Sequence, residues 1–233
     1  MATRDVAANL KVYMNRKIVF EAASFARHAH RNHYRRDNVT PYTVHLGEVA
    51  GLIGTVITEP IPRATAWLHD SIEDVGITYK QLVAKFGETI ALGVYQLTND
   101  KPEGLNREKR KAIECDRAKE MFPWVQTVRY ADILSNTTGC ANAEPKFAKI
   151  YIPEKKELMK YLTKGDADLR QLVLLQLDIE QRTLDARTIG MDLDEFVEME
   201  AVNPQSRGYV NQDLDMSIIK KNQLVSDIYS GRN

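Results

Sequence analysis

A chain of 233 residues, 43% of them hydrophobic, can bury a full core as one domain, or as one domain with an appendage. Lys plus Arg and Asp plus Glu each number 32, and a formal charge of zero argues against a nucleic-acid coat or a membrane-surface binder, where one sign dominates. No stretch approaches the roughly 20 consecutive apolar residues of a membrane span. Residues 1–17 mix Arg4, Asp5, Lys11, Arg16 and Lys17 with short apolar pieces and so lack the apolar core of a signal peptide, which makes the cytoplasm the expected location.

In chain order, Ile18, Ala22, Phe25, Ala26 and Ala29 fall at helical spacing within 17–33, with Arg27, Arg31 and Arg35 on a separate stripe. This stripe reads either as a solvated basic face or as a wall of arginines for a polyphosphate. Asp37-Asn38-Val39 reads as a turn, and Thr40-Pro41 as an N-cap followed by proline at the first helical position. The next helix turns His45, Val49, Leu52, Ile53 and Val56 inward, until Glu59-Pro60-Ile61-Pro62 breaks it. The apolar run 64–68 then leads into His69-Asp70 and Glu73-Asp74. If one helix continues through them, His69 stands above Glu73 and Asp70 above Asp74.

Thr78 caps a short helix that Gly87 stops, and 88–97 forms another, although 93–97 is also the best strand candidate in the chain. The loop 99–106 is a candidate lid, or an ordinary surface loop. A charged helix over 107–121 ends at Pro123. The segment 124–136 is apolar but carries Arg129, Asp132 and Asn136, the last two on one face. Two long amphipathic helices follow over 146–162 and 166–189. Residues 191–233 change character, acidic and then turn-rich, with a helical pattern returning over 218–229. Cys115 and Cys140 are isolated and read as packing residues in a reducing compartment. The fold expected is all-α, with a main domain over 1–190 and an extension over 191–233.

Three helices therefore each offer a polar group that needs a partner: His45, His69-Asp70 and Asp132. Two imidazoles and two carboxylates suit one borderline divalent cation with positions left for water and substrate oxygens. The order H…HD…D is the signature of the HD phosphohydrolase superfamily. The segments ARHAHRNHYRRDNVTPYTVH (26–45), AWLHDSIEDVGITYKQLVAKFG (66–87), VYQLTND (94–100) and VRYADILSN (128–136) resemble, in order and spacing, the hydrolase domain of alarmone, or (p)ppGpp, hydrolases of the small stand-alone kind.

That resemblance implies an HD-domain helical bundle with additional C-terminal helices. It implies His45, His69, Asp70 and Asp132 as ligands of one metal ion, usually Mn2+, and Glu73 and Asp74 as the pair that positions and activates water. It also implies that Arg35, Arg36 and Asn136 contact the substrate. The implied reaction releases pyrophosphate from the 3′ position of guanosine tetra- or pentaphosphate, giving GDP or GTP. The chain departs from the family at His33, where glutamine is usual, at Arg129, where lysine is usual, and at Thr138-Gly139, where Arg-Thr often stands. Another nucleotide as substrate, a deoxynucleotide or dinucleotide cofactor, is the alternative; a non-catalytic nucleotide sensor is a third reading. A nucleotide is the expected partner, nucleic acid and membrane are not, and self-association into a homo-oligomer is left open.

Overall fold

A computed structural model of the chain describes residues 2–99 and 104–202. The described residues form helices with no strand among them; an isolated bridge between Tyr34 and Pro41 closes the turn before the second helix. They divide into two compact units, one ending at Asp185 and one beginning at Ala186. Among the described residues no helix is long and apolar enough to cross a membrane.

In the first unit, α1 (Ala2–Ala29) is longer than the apolar periodicity of 17–33 suggests, because its first half stays exposed and carries no core pattern. Its second half buries Ala22 and Ala26 against α3 (Pro60–Leu68). Small side chains there allow the two helices to approach closely. The turn before α2 (Tyr42–Val56) differs from the expectation: the Thr40 hydroxyl donates to Asp37 Oδ2 at 2.6 Å, and Pro41 takes the N-cap position with no side-chain cap. Asp37 has already claimed that hydroxyl for a local turn.

The stretch 69–74 is not one helix. α3 stops at Leu68, Asp70 sits at φ −97°, ψ 3°, and the short α4 (Ser71–Val75) begins beyond it. His69 and Asp70 therefore occupy a corner instead of stacking above Glu73 and Asp74. Thr78 does cap α5 (Tyr79–Phe86), in a reciprocal box with Gln81. The strand candidate 93–97 is helical, within α6 (Glu88–Leu97). Gly93 serves close helix packing there: a Cβ would lie 2.3 Å from the Trp124 ring.

Beyond the loop, of which residues 100–103 fall outside the described residues, come α7 (Arg107–Glu120) and α8 (Pro123–Thr137). α8 runs through the core: Val125, Val128, Tyr130, Ala131, Ile133 and Leu134 are all buried. α9 (Cys140–Ala143) follows Gly139, whose φ of 74° suits a residue without a Cβ. The Glu180 carboxylate accepts from the Gly139 and Ala141 backbone N–H groups at 2.6 and 2.8 Å. That contact ties α9 to α11 (Ala167–Thr188), and α10 (Pro145–Met159) lies between them in the chain. Cys140 is buried in this core and Cys115 is half-buried; both are free thiols.

Two hydrophobic clusters organise the unit. One joins Ala22, Leu46, Leu68, Leu82, Phe86 and Val94 of α1, α2, α3, α5 and α6. The other centres on α8, with Val49 and Ile53 of α2, Ile152 of α10 and Val173 of α11. Each fully buried leucine or isoleucine contributes about 1.5–3 kcal/mol. α2 and α3 contribute to both clusters, so the polar residues they carry are held by packing on two sides.

In the second unit, Gly190 (φ 75°) ends the preceding helix, and Asp192 and Glu195 cap α12 (Leu193–Val202) reciprocally. Residues 203–233, including the helical pattern expected over 218–229, lie outside the described residues.

Candidate metal centre

The corner after α3 meets the middle of α2 and the last turns of α8. His45 and His69 are fully buried, Asp132 nearly so, and one donor atom from each lies within 4.8 Å of the others. His45 Nε2 and His69 Nε2 face each other at 3.2 Å. Asp70 Oδ2 stands 2.8 Å from His69 Nε2 and 3.5 Å from His45 Nε2; Asp132 Oδ1 stands 3.7 and 3.4 Å from the same two atoms.

The outer contacts decide what these atoms can do. His69 Nδ1 lies 2.8 Å from the Ala66 carbonyl, which only accepts, so Nδ1 carries the proton. His45 Nδ1 lies 2.8 Å from Ser135 Oγ, and that hydroxyl donates onward to Glu48 Oε2 at 2.6 Å, so His45 Nδ1 also donates. Both neutral imidazoles then aim Nε2 lone pairs at one another across 3.2 Å. Two lone pairs and two carboxylates around one point repel unless a positive charge lies among them.

Protonation directions agree. Burial pulls His69 down, but the Asp70 and Asp132 carboxylates outweigh it and hold the ring well above its ordinary value. His45 is raised in the same way, against burial, by Asp132 and Asp70. Burial pushes Asp70 and Asp132 up, but the two imidazoles, helped at Asp132 by Arg129, hold both below the usual carboxylate range. A divalent cation could stand where those protons would be. The donor set fits a borderline metal, with the Nδ1 contacts fixing both rings.

Several of the surrounding contacts come from residues given no role in the sequence. The Tyr42 hydroxyl donates to Asp70 Oδ2 at 2.6 Å. Arg129 Nη1 donates to Asp132 Oδ2 at 3.0 Å, its other arm bonds the Leu97 carbonyl, and Asn136 Nδ2 donates to Asp132 Oδ1 at 2.6 Å. Tyr151 of α10 has its phenol raised by burial and then by the Asp132 carboxylate. Tyr42, three residues before His45, was detectable by helical spacing; Ser135, Glu48 and Tyr151 had no local signal.

Glu73 accepts from the Asn99 backbone N–H at 3.0 Å. Asp74 is raised above the ordinary carboxylate range by burial and then by the Asp70 charge. Arg35 reaches Asn136 Oδ1 and Glu48 Oε2, each at 3.5 Å, and so borders the cluster. Arg36 turns to α10, with its guanidinium 3.4 Å from the Phe147 ring centre and 3.7 Å from Glu144. The structure thus gathers His45, His69, Asp70, Asp132 and Asn136, sets Arg35 at the rim, and turns Arg36 outward.

No protein-family model matches the chain. Among curated proteins it is similar to the mouse guanosine-3′,5′-bis(diphosphate) 3′-pyrophosphohydrolase MESH1, 34% identical over 130 residues, covering 54% of this chain and 72% of the mouse protein. The Xenopus tropicalis MESH1 is 30% identical over 132 residues, covering 55% and 73%. Among solved structures, a metazoan ortholog of SpoT that hydrolyses ppGpp superposes with a TM-score of 0.60 at 22% identity, over 75% of this chain and 96% of that one, and so shares the fold. On the sequence matches, which span more than two thirds of those proteins, the chain belongs to the MESH1-type family of 3′-pyrophosphohydrolases, small HD-type hydrolases.

Proposed function

We propose that this protein is a metal-dependent hydrolase that removes pyrophosphate from the 3′ position of (p)ppGpp, leaving GDP or GTP. The observation that carries the reading is the opposed pair of imidazole nitrogens, 3.2 Å apart, with two carboxylates on the same point. His45, His69, Asp70 and Asp132 would hold one ion, Mn2+ by family resemblance. Such an ion would polarise a phosphoryl oxygen and acidify a water.

The remaining work falls to the protein's own groups. Asp74, raised by burial and the Asp70 charge, is suited to take a proton from water and return it. Glu73, oriented by the Asn99 N–H, aligns that water. Tyr42 keeps Asp70 oriented through its hydroxyl, and the Ser135–Glu48 relay does the same for His45. Arg35 and Asn136 present a guanidinium and an amide to the nucleotide, and Arg36 would join them on leaving Glu144. We assign the catalytic domain to 1–190, with 191–233 as an extension, and the cytoplasm as the compartment.

Incubating the Mn2+-loaded protein with ppGpp should release pyrophosphate and GDP; no release would overturn the reading. A second reading, another nucleotide as substrate, is favoured by the outward position of Arg36 on Phe147. A substrate panel separates the two, since both lose turnover with Asp70→Ala.

A further inference from the structure

Glu73 faces two environments. Besides adjoining the metal corner through Asp74, it lines a cavity of about 310 Å3 whose far wall is α7, with Arg107, Arg110, Lys111, Glu114 and Arg117. This lies at the small end of ligand pockets, about 300–1,000 Å3. Four cations line it against two carboxylates.

Their commitments differ. Arg107 is gripped by Glu154 at 2.5 and 2.9 Å, and Lys111 by Glu114 at 2.5 Å. Glu114 is held from behind by the buried Lys155 at 3.0 Å, and these cations depress it to about 2, against burial. Arg110 is half-buried and donates to the neutral Leu105 carbonyl at 2.8 Å; among the described residues it forms no ion pair. Buried Arg129 bonds Asp132, and the Asp132 and Glu114 carboxylates raise it against burial. A cavity lined by the Arg110 guanidinium, which has no ion pair among the described residues, therefore adjoins the carboxylate proposed to align water.

We infer that this cavity is a diphosphate subsite that receives the distal phosphate of the substrate's 3′-pyrophosphoryl group, with Arg110 as its main positioning residue. The inference rests on the pyrophosphohydrolase reading. In the reaction, the water oxygen bonds to the phosphorus attached to the ribose 3′ oxygen. That phosphorus–oxygen bond breaks, its electron pair goes to the 3′ oxygen, and a proton completes the hydroxyl. The proton lost by water goes to the carboxylate pair, and pyrophosphate departs carrying the water's oxygen. The distal phosphate changes no bond, so its only need is charge and hydrogen-bond donors to one side of the reacting phosphorus. A guanidinium fork supplies both.

Equilibrium dialysis of inorganic pyrophosphate and orthophosphate against the full Mn2+-loaded chain tests this. Arg110→Gln combined with Arg117→Gln should weaken pyrophosphate binding about tenfold or more and leave orthophosphate within about twofold. Arg110→Lys should restore most of the loss, and Lys109→Gln, on the same helix, should cause none. In turnover, KM for a 3′-diphosphate substrate should rise by the same factor, while KM for its 3′-monophosphate counterpart stays put. Unchanged pyrophosphate binding, or equal losses for both anions, would overturn the subsite. If circular dichroism shows the double variant unfolded, Arg110→Gln alone decides. Arg110-dependent pyrophosphate binding without ppGpp hydrolysis would sink the functional reading and spare the subsite; hydrolysis indifferent to Arg110 would do the reverse.

Discussion

Two groups of buried histidines lie in this molecule, and they behave in opposite ways. His45 and His69 are raised above their ordinary value, whereas His30, equally buried at 1% exposure, is pushed down to about 4. Burial acts the same way on all three. What differs is the company: Asp70 and Asp132 converge on the first pair, while His30 stacks beside His33 and Tyr42, with its Nδ1 3.2 Å from His33 Nδ1. Desolvation alone yields a neutral packing histidine, and only converging carboxylates make a cation site.

The strongest way to break the contrast is to strip the corner of its carboxylates. Asp70→Ala should lower turnover about a thousandfold or more and remove the bound metal, read by metal analysis of the same sample. Asp132→Ala should do this too, and should also destabilise the fold by about 3–5 kcal/mol, because buried Arg129 loses its partner; thermal unfolding reads that part.

Ser135→Ala leaves His45, His69, Asp70 and Asp132 in place but removes the relay that orients His45. It should cost roughly 10–100-fold in metal affinity with the fold intact, measured by competition with a chelator. Metal affinity should also rise with pH, because the raised His45 and His69 must shed protons before a cation can bind.

His30 provides the converse test. Between about pH 6.5 and about 4 the unfolded chain binds a proton at this position that the folded chain refuses. Its stabilising contribution is therefore whole above 6.5 and is lost as pH falls toward 4, by roughly 3 kcal/mol at most. Denaturant titrations should show that slope flatten in His30→Asn, with metal content unchanged. The smallest effect should come from Arg36→Ala: its exposed contact with Phe147 contributes about 0.5–1 kcal/mol, so KM should move only a few-fold.

The convergence of His45, His69 and Asp132 was legible in the sequence because each of these polar residues interrupted an apolar helix. His45 among Val49 and Ile53, and Asp132 among Val128 and Ile133, are costly in isolation, and their cost announced a shared purpose. The helix sequence was legible for the same periodic reasons, with Thr78, Gly87 and Pro123 marking ends that the structure keeps. The first half of α1 was not, since an exposed helix leaves no apolar stripe. Nor was the break at Asp70: continuous helix and corner read alike until α3 and α4 are packed.

By itself, then, the sequence determined an all-α chain and the residue types of a cation site, since helical period and the cost of buried charge are local properties. Tertiary structure alone decided which nitrogen of His45 faces inward, since Ser135, on a helix far along the chain, fixes that tautomer from outside. It decided as well that Arg35 borders the cluster while Arg36 turns to Phe147, and that α7 brings its arginines to Glu73. Those outcomes depend on distances between segments far apart in the chain, which no spacing rule encodes.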